Sequence, residues 1–415
     1  MELFNLLAIL ITLTALFSYI NHRYIGLPTT IGVMLVALLI SLLLILLDLF
    51  GLGFRQHAQR MMGQIQFDRT LLHGMLSFLL FAGALHINID DLMAHRWSIG
   101  ILATLGTLMS AFLVGTLTWL ILKGVAGQMD YRICLLFGAL ISPTDPIAVL
   151  GILKTIGAPK NLEIKIAGES LFNDGLGVVL FLGVLEVATG THDLSAGHIG
   201  RLLFQEVIGG ASLGFGLGYL AYRMLKSIDN YQVEILISLA LVVGGYALAS
   251  GLHLSGPIAI VIAGLLIGNH GRLFAMSDET RRQLDTFWEV VDEILNAVLF
   301  VLIGLEILVL TFTRHYLLLS CLIIPIVLAA RFISIGIPTA LLNRFRTLTP
   351  GAVPVLTWGG LRGGISVALA LSIPPIPERQ MILAFTYTVV LFSILVQGTT
   401  IKPLMRYLNT SPSSA

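Results

Sequence analysis

Four polar side chains, of types that could bind a small cation or a proton, lie close together in an otherwise apolar segment. The segment is 164–187, and the four residues are Glu169, Ser170, Asn173 and Asp174. On a helix, residues four apart stack, so these four form one polar stripe. Because a charge at mid-bilayer costs roughly 2.5–3.5 kcal/mol on insertion scales, two acids here predict an ion or proton site. The alternative is a helix end at the membrane surface, but apolar residues continue well past Asp174.

Composition indicates an integral membrane protein. Of the 415 residues, 56% are hydrophobic and only 11% are charged, whereas soluble domains carry about 25% charged residues. The expected partner is membrane lipid, and a net charge of +1 offers no basic surface for nucleic acid. Cys134 and Cys321 both lie in apolar segments and predict no disulfide framework. We expect no cofactor.

Apolar segments of roughly 17–25 residues predict an all-α polytopic fold with about 13 transmembrane helices. The predicted spans are 3–20, 28–50, 70–88, 97–122, 132–153, 162–188, 201–225, 233–250, 255–270, 287–311, 315–342, 350–373 and 381–401. With the N-terminus outside, the inner loops carry fourteen Lys and Arg residues against eight in the outer loops. This bias predicts that the C-terminus is cytoplasmic. The expected location is the cell inner (plasma) membrane, which the chain crosses several times.

Thirteen spans allow two sets of six that are related by inverted topology, the plan of many secondary transporters. We predict one transporter domain over 1–415, with a first repeat at 1–190, a linker helix at 191–230 and a second repeat at 231–408. We expect no soluble C-terminal domain.

The fifth span of each set is interrupted at its centre. The first interruption, 142–146, places Thr144 and Asp145 between two prolines, which remove backbone donors and release carbonyl groups. The second, 358–364, has four glycines around Arg362. Interruptions at matching positions predict two helices that cross at the site. A proline kink alone, or a glycine packing face alone, is the alternative for each.

Arg362 needs an acidic partner inside the membrane. Glu169 is the natural candidate, since Asp145 and Asp174 are better used facing a substrate, so we predict a structural ion pair between Glu169 and Arg362. Glu234 and Arg331 are also placed within spans and could pair with each other.

Three further acids, Glu289, Asp292 and Glu293, open the predicted tenth span. Acids at a helix N-terminus complement its dipole, which favours an interfacial cap. The alternative is an acidic funnel that attracts cations.

Seven segments resemble the monovalent cation/proton antiporters of the NhaP and NHE type, whose fold is NhaA/NhaP-like. They run in family order along nearly the whole chain: 27–32, 142–149, 168–174, 254–257, 287–289, 358–363 and 397–404. The resemblance implies a homodimer in which each protomer has a dimerisation bundle and a core bundle that moves like an elevator.

The same resemblance implies roles for individual residues. Asp174 looks like the carboxylate that binds either cation or proton, and Asp145, Thr144 and Ser170 like its helpers in coordinating Na⁺ or another monovalent cation. Asn173 occupies the position where electrogenic relatives have a second Asp. One departure is Ala82, which lies where many relatives carry an acid and which offers no oxygen atom.

These residues favour a sodium/proton antiporter over an enzyme. Burial favours neutralisation of a carboxylate by either H⁺ or a cation, and with Asn173 neutral only Asp174 changes charge, which predicts 1:1 electroneutral exchange unless Asp145 also titrates. A K⁺/H⁺ antiporter, a cation channel and an organic-anion carrier that uses Arg362 remain alternatives. An intramembrane enzyme with Ser170 as nucleophile would need a general base, and 162–188 contains no His.

Overall fold

The computed structural model describes residues 3–48, 50, 67–125, 129–155, 159–190, 196–309, 314–343 and 352–410. In these ranges the chain is almost entirely helical, and the paired extended segment is an isolated antiparallel bridge between Asp145 and Leu361. The predicted all-α membrane fold is confirmed. The boundaries predicted at 311 and 350, and residues 191–195 of the predicted linker, lie outside the described residues.

Ten α-helices precede residue 190 among the described residues. They are α1 Leu3–Ile20, α2 Thr29–Asp48, α3 Phe67–Arg69, α4 Leu76–Leu85, α5 Ile89–Ala94, α6 Arg96–Ile101, α7 Thr107–Val125, α8 Tyr131–Ile141, α9 Ile147–Thr155 and α10 Lys160–Ala188. Short π-helical segments at Asn21–Ile25, Thr70–Met75 and Leu102–Gly106 extend α1 or join neighbouring helices into longer rods.

Ten more α-helices follow in the described part of the second half. They are α11 Ala196–Leu225, α12 Tyr231–Gly251, α13 Gly256–Leu266, α14 Arg272–Phe274, α15 Asp278–Glu306, α16 Arg314–Asn343, α17 Ala352–Trp358, α18 Gly364–Leu371, α19 Arg379–Phe392 and α20 Gly398–Thr410. The π-helical segments Ile267–Gly271 and Ser393–Gln397 join α13 to α14 and α19 to α20. Helices lie at the predicted span positions wherever these fall on described residues. In that part of the chain, six helical rods are long and apolar enough to cross a membrane.

Both predicted interruptions are real breaks in the helical backbone. Between α8 and α9, the backbone of 142–146 leaves the helix where Pro143 and Pro146 cannot donate. Between α17 and α18, the glycine-rich stretch 359–363 is not helical: the chain turns at Gly359, forms the bridge at Leu361 and is extended at Gly363. Because the bridge between Asp145 and Leu361 joins the two stretches, the broken helices cross each other.

The helices pack as two bundles. The crossing bundle contains α6–α10 and α16–α20, with close packing of α7 on α8, α10 on α8 and α16 on α19. The flanking bundle contains α1–α4 and α11–α15, with α15 packed on α2 and α13 on both α4 and α11. Each predicted repeat therefore contributes helices to both bundles. The inverted relation of 1–190 to 231–408 stays a prediction.

The tenth predicted span begins too late. α15 starts at Asp278, where the Ser277 hydroxyl accepts a hydrogen bond from the Thr280 amide and caps the helix. Its first turns are charged and fall outside an apolar search window. Glu289, Asp292 and Glu293 consequently lie several turns inside the helix, and the predicted interfacial cap is wrong.

Gly138 allows α8 and α7 to approach closely, since a Cβ there would lie 2.1 Å from the Ala111 carbonyl oxygen. We expect Gly138→Ala to lower the unfolding free energy by about 1–3 kcal/mol, because backbone must move to admit the methyl group. Thermal unfolding of the purified chain in detergent measures the loss. The matched control is Gly216→Ala, where a Cβ would meet nothing within 4 Å. Equal stability of the two variants would contradict the assigned helix contact.

Candidate ion-binding site

The crossing point satisfies the backbone groups that the breaks release. The Asp145 amide donates to the Leu361 carbonyl at 2.8 Å. From the other broken helix, Arg362 Nη1 donates to the carbonyl oxygens of Ser142 at 2.5 Å and Pro143 at 2.9 Å. These carbonyls end α8, where the partial negative charge of the helix dipole favours a cation. Arg362 therefore fixes one broken helix against the other.

A second set of polar groups holds the Arg362 backbone, and sequence reasoning missed it. The Arg362 amide donates to Ser393 Oγ at 2.9 Å, and Ser393 Oγ donates to Gln397 Oε1 at 2.8 Å. Gln397 Nε2 in turn donates to the Trp358 carbonyl at 3.1 Å. The spacing of Ser393 and Gln397, four residues apart in an apolar span, was the available signal.

Two glycines of the crossing are required by close contacts. A Cβ at Gly363 would lie 2.2 Å from Asp145 Oδ2, and one at Gly360 would lie 2.6 Å from Arg331 Nε. Any side chain at either position would displace a charged group. The glycines thus bring two ionisable side chains against the extended backbone.

Asn173 and Ser170 bind Thr144 and thereby position the first break against α10. The Thr144 amide donates to Asn173 Oδ1 at 3.3 Å, and Asn173 Nδ2 donates to Thr144 Oγ1 at 2.8 Å. The hydroxyl groups of Thr144 and Ser170 are 3.0 Å apart. All three side chains are almost fully buried. The structure brings these predicted residues together.

Asp174 lies on the same helix with its side chain only 8% exposed. Its Oδ1 has no hydrogen-bond partner among the described residues. Asp145 accepts a hydrogen bond at Oδ1 from the Ile147 amide at 2.9 Å, and the two aspartates are close enough to interact electrostatically. A buried carboxylate oxygen without a donor is costly unless a proton or a cation satisfies it.

Both aspartates line a cavity of about 820 Å³ that lies between the two bundles. The flanking bundle contributes the start of α2 together with α4 and α15, and the crossing bundle contributes both breaks and α10. In the described part of the chain no three His, Cys, Asp or Glu side chains form a metal cluster. A cation here would depend on hydroxyl and carbonyl oxygen atoms as well as carboxylates.

The predicted ion pair between Glu169 and Arg362 is wrong. Glu169 Oε1 lies 2.7 Å from Arg331 Nη1, with both side chains buried, and the described residues hold no ion pair between Glu169 and Arg362. Arg331 is on α16, an unbroken helix beside the crossing, whereas the Arg362 guanidinium is turned to the α8 carbonyls. Arg331 also does not pair with Glu234, which accepts hydrogen bonds from the Asn230 amide and the Thr280 hydroxyl.

The acids of α15 lie where an acidic funnel that attracts cations, the alternative to a helix cap, would place them. Glu289, Asp292 and Glu293 line the same cavity as Asp145 and Asp174. Ala82 of α4 also lines it, so that wall presents a methyl group at this position.

A family model described as the transmembrane sodium/hydrogen exchanger matches residues 10–407. The chain belongs to the sodium/hydrogen exchanger family. A protein called Na(+)/H(+) antiporter NhaP from Pseudomonas aeruginosa is 51% identical over 410 residues, covering 97% of this chain and 96% of the relative. A protein called NhaH from Halobacillus dabanensis is 34% identical, with 98% and 97% covered.

The solved structure of MjNhaP1, a sodium proton antiporter from Methanocaldococcus jannaschii, has the same fold as this exchanger-family chain. The TM-score is 0.76 at 19% sequence identity, and the match covers 99% of this chain and 100% of that structure. The two chains therefore share the fold over nearly their whole lengths.

The Glu169–Arg331 pair makes a measurable energetic claim. Removing one partner, in Glu169→Gln or Arg331→Gln, should lower the unfolding free energy by about 3–5 kcal/mol, because the other charge stays buried and unpaired. The double variant should be more stable than the sum of the two losses predicts, with a coupling of about 0.5–3 kcal/mol. Chemical denaturation of the purified chain measures each value.

The matched cycle combines Glu169→Gln with Arg362→Gln. These two side chains form no ion pair in the structure, and each has its own partners. Smaller coupling is expected here than with Arg331. A larger coupling to Arg362 would contradict the assignment.

Proposed function

We propose that this chain exchanges Na⁺ for H⁺ across a membrane, and that Asp174 binds the two ions in turn. Family membership and the relatives named as Na(+)/H(+) antiporters support the exchange. The observation that carries the role of Asp174 is its buried, unpartnered Oδ1 at the wall of the cavity between the bundles.

Competition between the ions follows from burial. An ionised carboxylate in an apolar interior is destabilised, and either a proton or a cation removes the penalty. With either ion bound, the Asp174 site is neutral, and moving it through the apolar interior of the membrane costs little free energy. The empty site is charged and moves poorly. This difference alone couples the movement of Na⁺ to that of H⁺.

Coordination of the cation requires oxygen atoms beside Asp174. Thr144, Ser170 and Asp145 supply hydroxyl and carboxylate oxygens around the first break. Asn173 engages Thr144 through both ends of its amide. We assign it the task of positioning Thr144 while adding no charge, and this keeps Asp174 as the residue whose charge changes in the cycle.

Alternating access follows from the placement of the ligands. The proposed cation ligands belong to the crossing bundle, while α2, α4 and α15 of the flanking bundle form the opposite wall. Movement of the crossing bundle against the flanking bundle would carry the loaded site to the other face. In the expected homodimer, the flanking bundles of two copies pair and stay fixed in the lipid.

The expected location is the cell inner membrane with the N-terminus outside and the C-terminus cytoplasmic. The Lys and Arg bias of the loops supports this orientation. In that orientation the cavity rim, which includes Asn88, Asp91 and Lys160, faces the cytoplasm.

Substitution of the carboxylate tests the assignment. Asp174→Asn should abolish Na⁺-driven proton flux in everted membrane vesicles, measured as dequenching of a pH-sensitive dye, because the neutral amide cannot exchange a proton for a cation. The matched control is Asp90→Asn on the exposed surface of α5, which should leave the flux unchanged. Persistent dequenching in Asp174→Asn would remove Asp174 from this role.

The charge count predicts that exchange ignores membrane potential. In proteoliposomes, the Na⁺ gradient that just balances a fixed pH gradient should stay the same when 100 mV is imposed. One net charge per cycle would displace that balance about fiftyfold, since 100 mV is worth ~2.3 kcal/mol per charge. A displacement of that size would show that a second group, Asp145 foremost, also titrates; conduction without proton counterflow would indicate a channel.

A further inference from the structure

One face of α15 carries polar side chains from the cavity mouth into the interior. Glu289, Asp292, Glu293 and Asn296 are spaced three and four residues apart, so they lie on one side of the helix, and all four line the cavity. Burial increases along the row, from the exposed Glu289 and Glu293 to Asn296, which is 3% exposed. The most buried polar group of this row is therefore an amide.

Asn296 has an unused hydrogen-bond acceptor. Its amide nitrogen can donate to the Asp292 carboxylate one helical turn away. The remaining atom, Oδ1, is buried and has no partner among the described residues. A buried acceptor left unsatisfied costs about 1–3 kcal/mol, which calls for a ligand at this point.

A second unpartnered oxygen belongs to the opposite bundle. Ser366 Oγ, on the first turn of α18, is buried, lines the cavity and has no hydrogen-bond partner in the described part of the chain. That turn packs directly on α15, because a Cβ at Gly364 would lie 2.6 Å from Leu299 Cδ1. Leu299 is one turn from Asn296, which places both oxygens at the same junction of the bundles.

We propose that Asn296 and Ser366, with the carboxylate of Asp292, form a second cation-binding station that hands Na⁺ from the cavity to Asp174. Carbonyl, hydroxyl and carboxylate oxygens are the ligands that hard monovalent cations take. The proposal rests on the proposed exchange of Na⁺ for H⁺. It adds that the ion loses its water in two steps, first against the flanking bundle and then against the crossing bundle.

The ligands of the station are divided between the two bundles, so the station can bind Na⁺ from one face of the membrane only. Asn296 and Asp292 belong to α15 of the flanking bundle, and Ser366 belongs to α18 of the crossing bundle. When the crossing bundle moves, these oxygens separate. The station therefore serves only the face onto which the cavity opens, the cytoplasmic face in the proposed orientation.

Side-resolved transport kinetics test the station, with Na⁺ as the probe. In Asn296→Leu and Ser366→Ala, we expect the apparent KM for Na⁺ to rise about five- to tenfold in everted vesicles, as for one lost ligand interaction. In right-side-out vesicles the KM should stay within twofold of the unsubstituted chain, and kcat should be unchanged on both faces. Asn296→Asp keeps an oxygen ligand but places a second carboxylate beside Asp292, so its KM should lie below that of Asn296→Leu.

The matched control is Ser320→Ala, since Ser320 is equally buried but donates to the Tyr316 carbonyl within α16. It should change neither KM. Unchanged KM values in both Asn296→Leu and Ser366→Ala would contradict the proposed station, because ordered water would then be enough to satisfy the two unpartnered oxygens. Equal changes on both faces would overturn it too, because they indicate a structural defect. Failure of the unsubstituted chain to exchange Na⁺ would instead refute the proposed function.

Discussion

Two helices broken inside a membrane release backbone groups that lipid cannot satisfy, and the rest of this structure depends on how the protein satisfies them. Arg362 donates to the carbonyls that end α8, and the Asp145 amide pairs with the Leu361 carbonyl. Each break thus supplies the partners that the other lacks. Neither helix could be interrupted alone without leaving buried polar groups unpaired.

The ion site follows from this mutual satisfaction. Once the crossing is fixed, Thr144 is held against α10 by Asn173, and Asp145 is held against Gly363. Asp174 is the carboxylate on α10 that the network leaves with an unpartnered oxygen. Buried positive charge is kept out of the cavity: Arg331 is matched by Glu169, and Arg362 by helix-end carbonyls. The cavity wall thereby stays acidic, as a cation pathway requires.

The sequence was sufficient to predict features that depend on residue type and helical spacing within one segment. The stripe that contains Ser170 and Asp174 and the two interruptions follow from spacing and composition, and the structure places them as predicted. The partner of Glu169 could not be predicted in this way. Two buried arginines were available, and the choice of Arg331 depends on where the extended backbone directs Arg362 after the crossing forms.

The error at α15 has a different origin. Hydropathy marks where a helix becomes apolar and not where it begins, so the charged turns from Asp278 onwards were assigned to a loop. Glu289, Asp292 and Glu293 then resembled a cap, although they line the cavity. The same limit hid Asn296 and Ser366, because an unpartnered atom is visible only once its neighbours are placed.

The central claim is that Na⁺ and H⁺ compete for the carboxylate of Asp174. Calorimetric titration of Na⁺ into the purified chain, repeated in buffers of different ionisation enthalpy, counts the protons released per ion bound. Near the pH where the site is protonated, the account predicts release of about one proton per Na⁺, and no Na⁺-linked release in Asp174→Asn. Saturable Na⁺ binding without proton release, or undiminished release in Asp174→Asn, would contradict it.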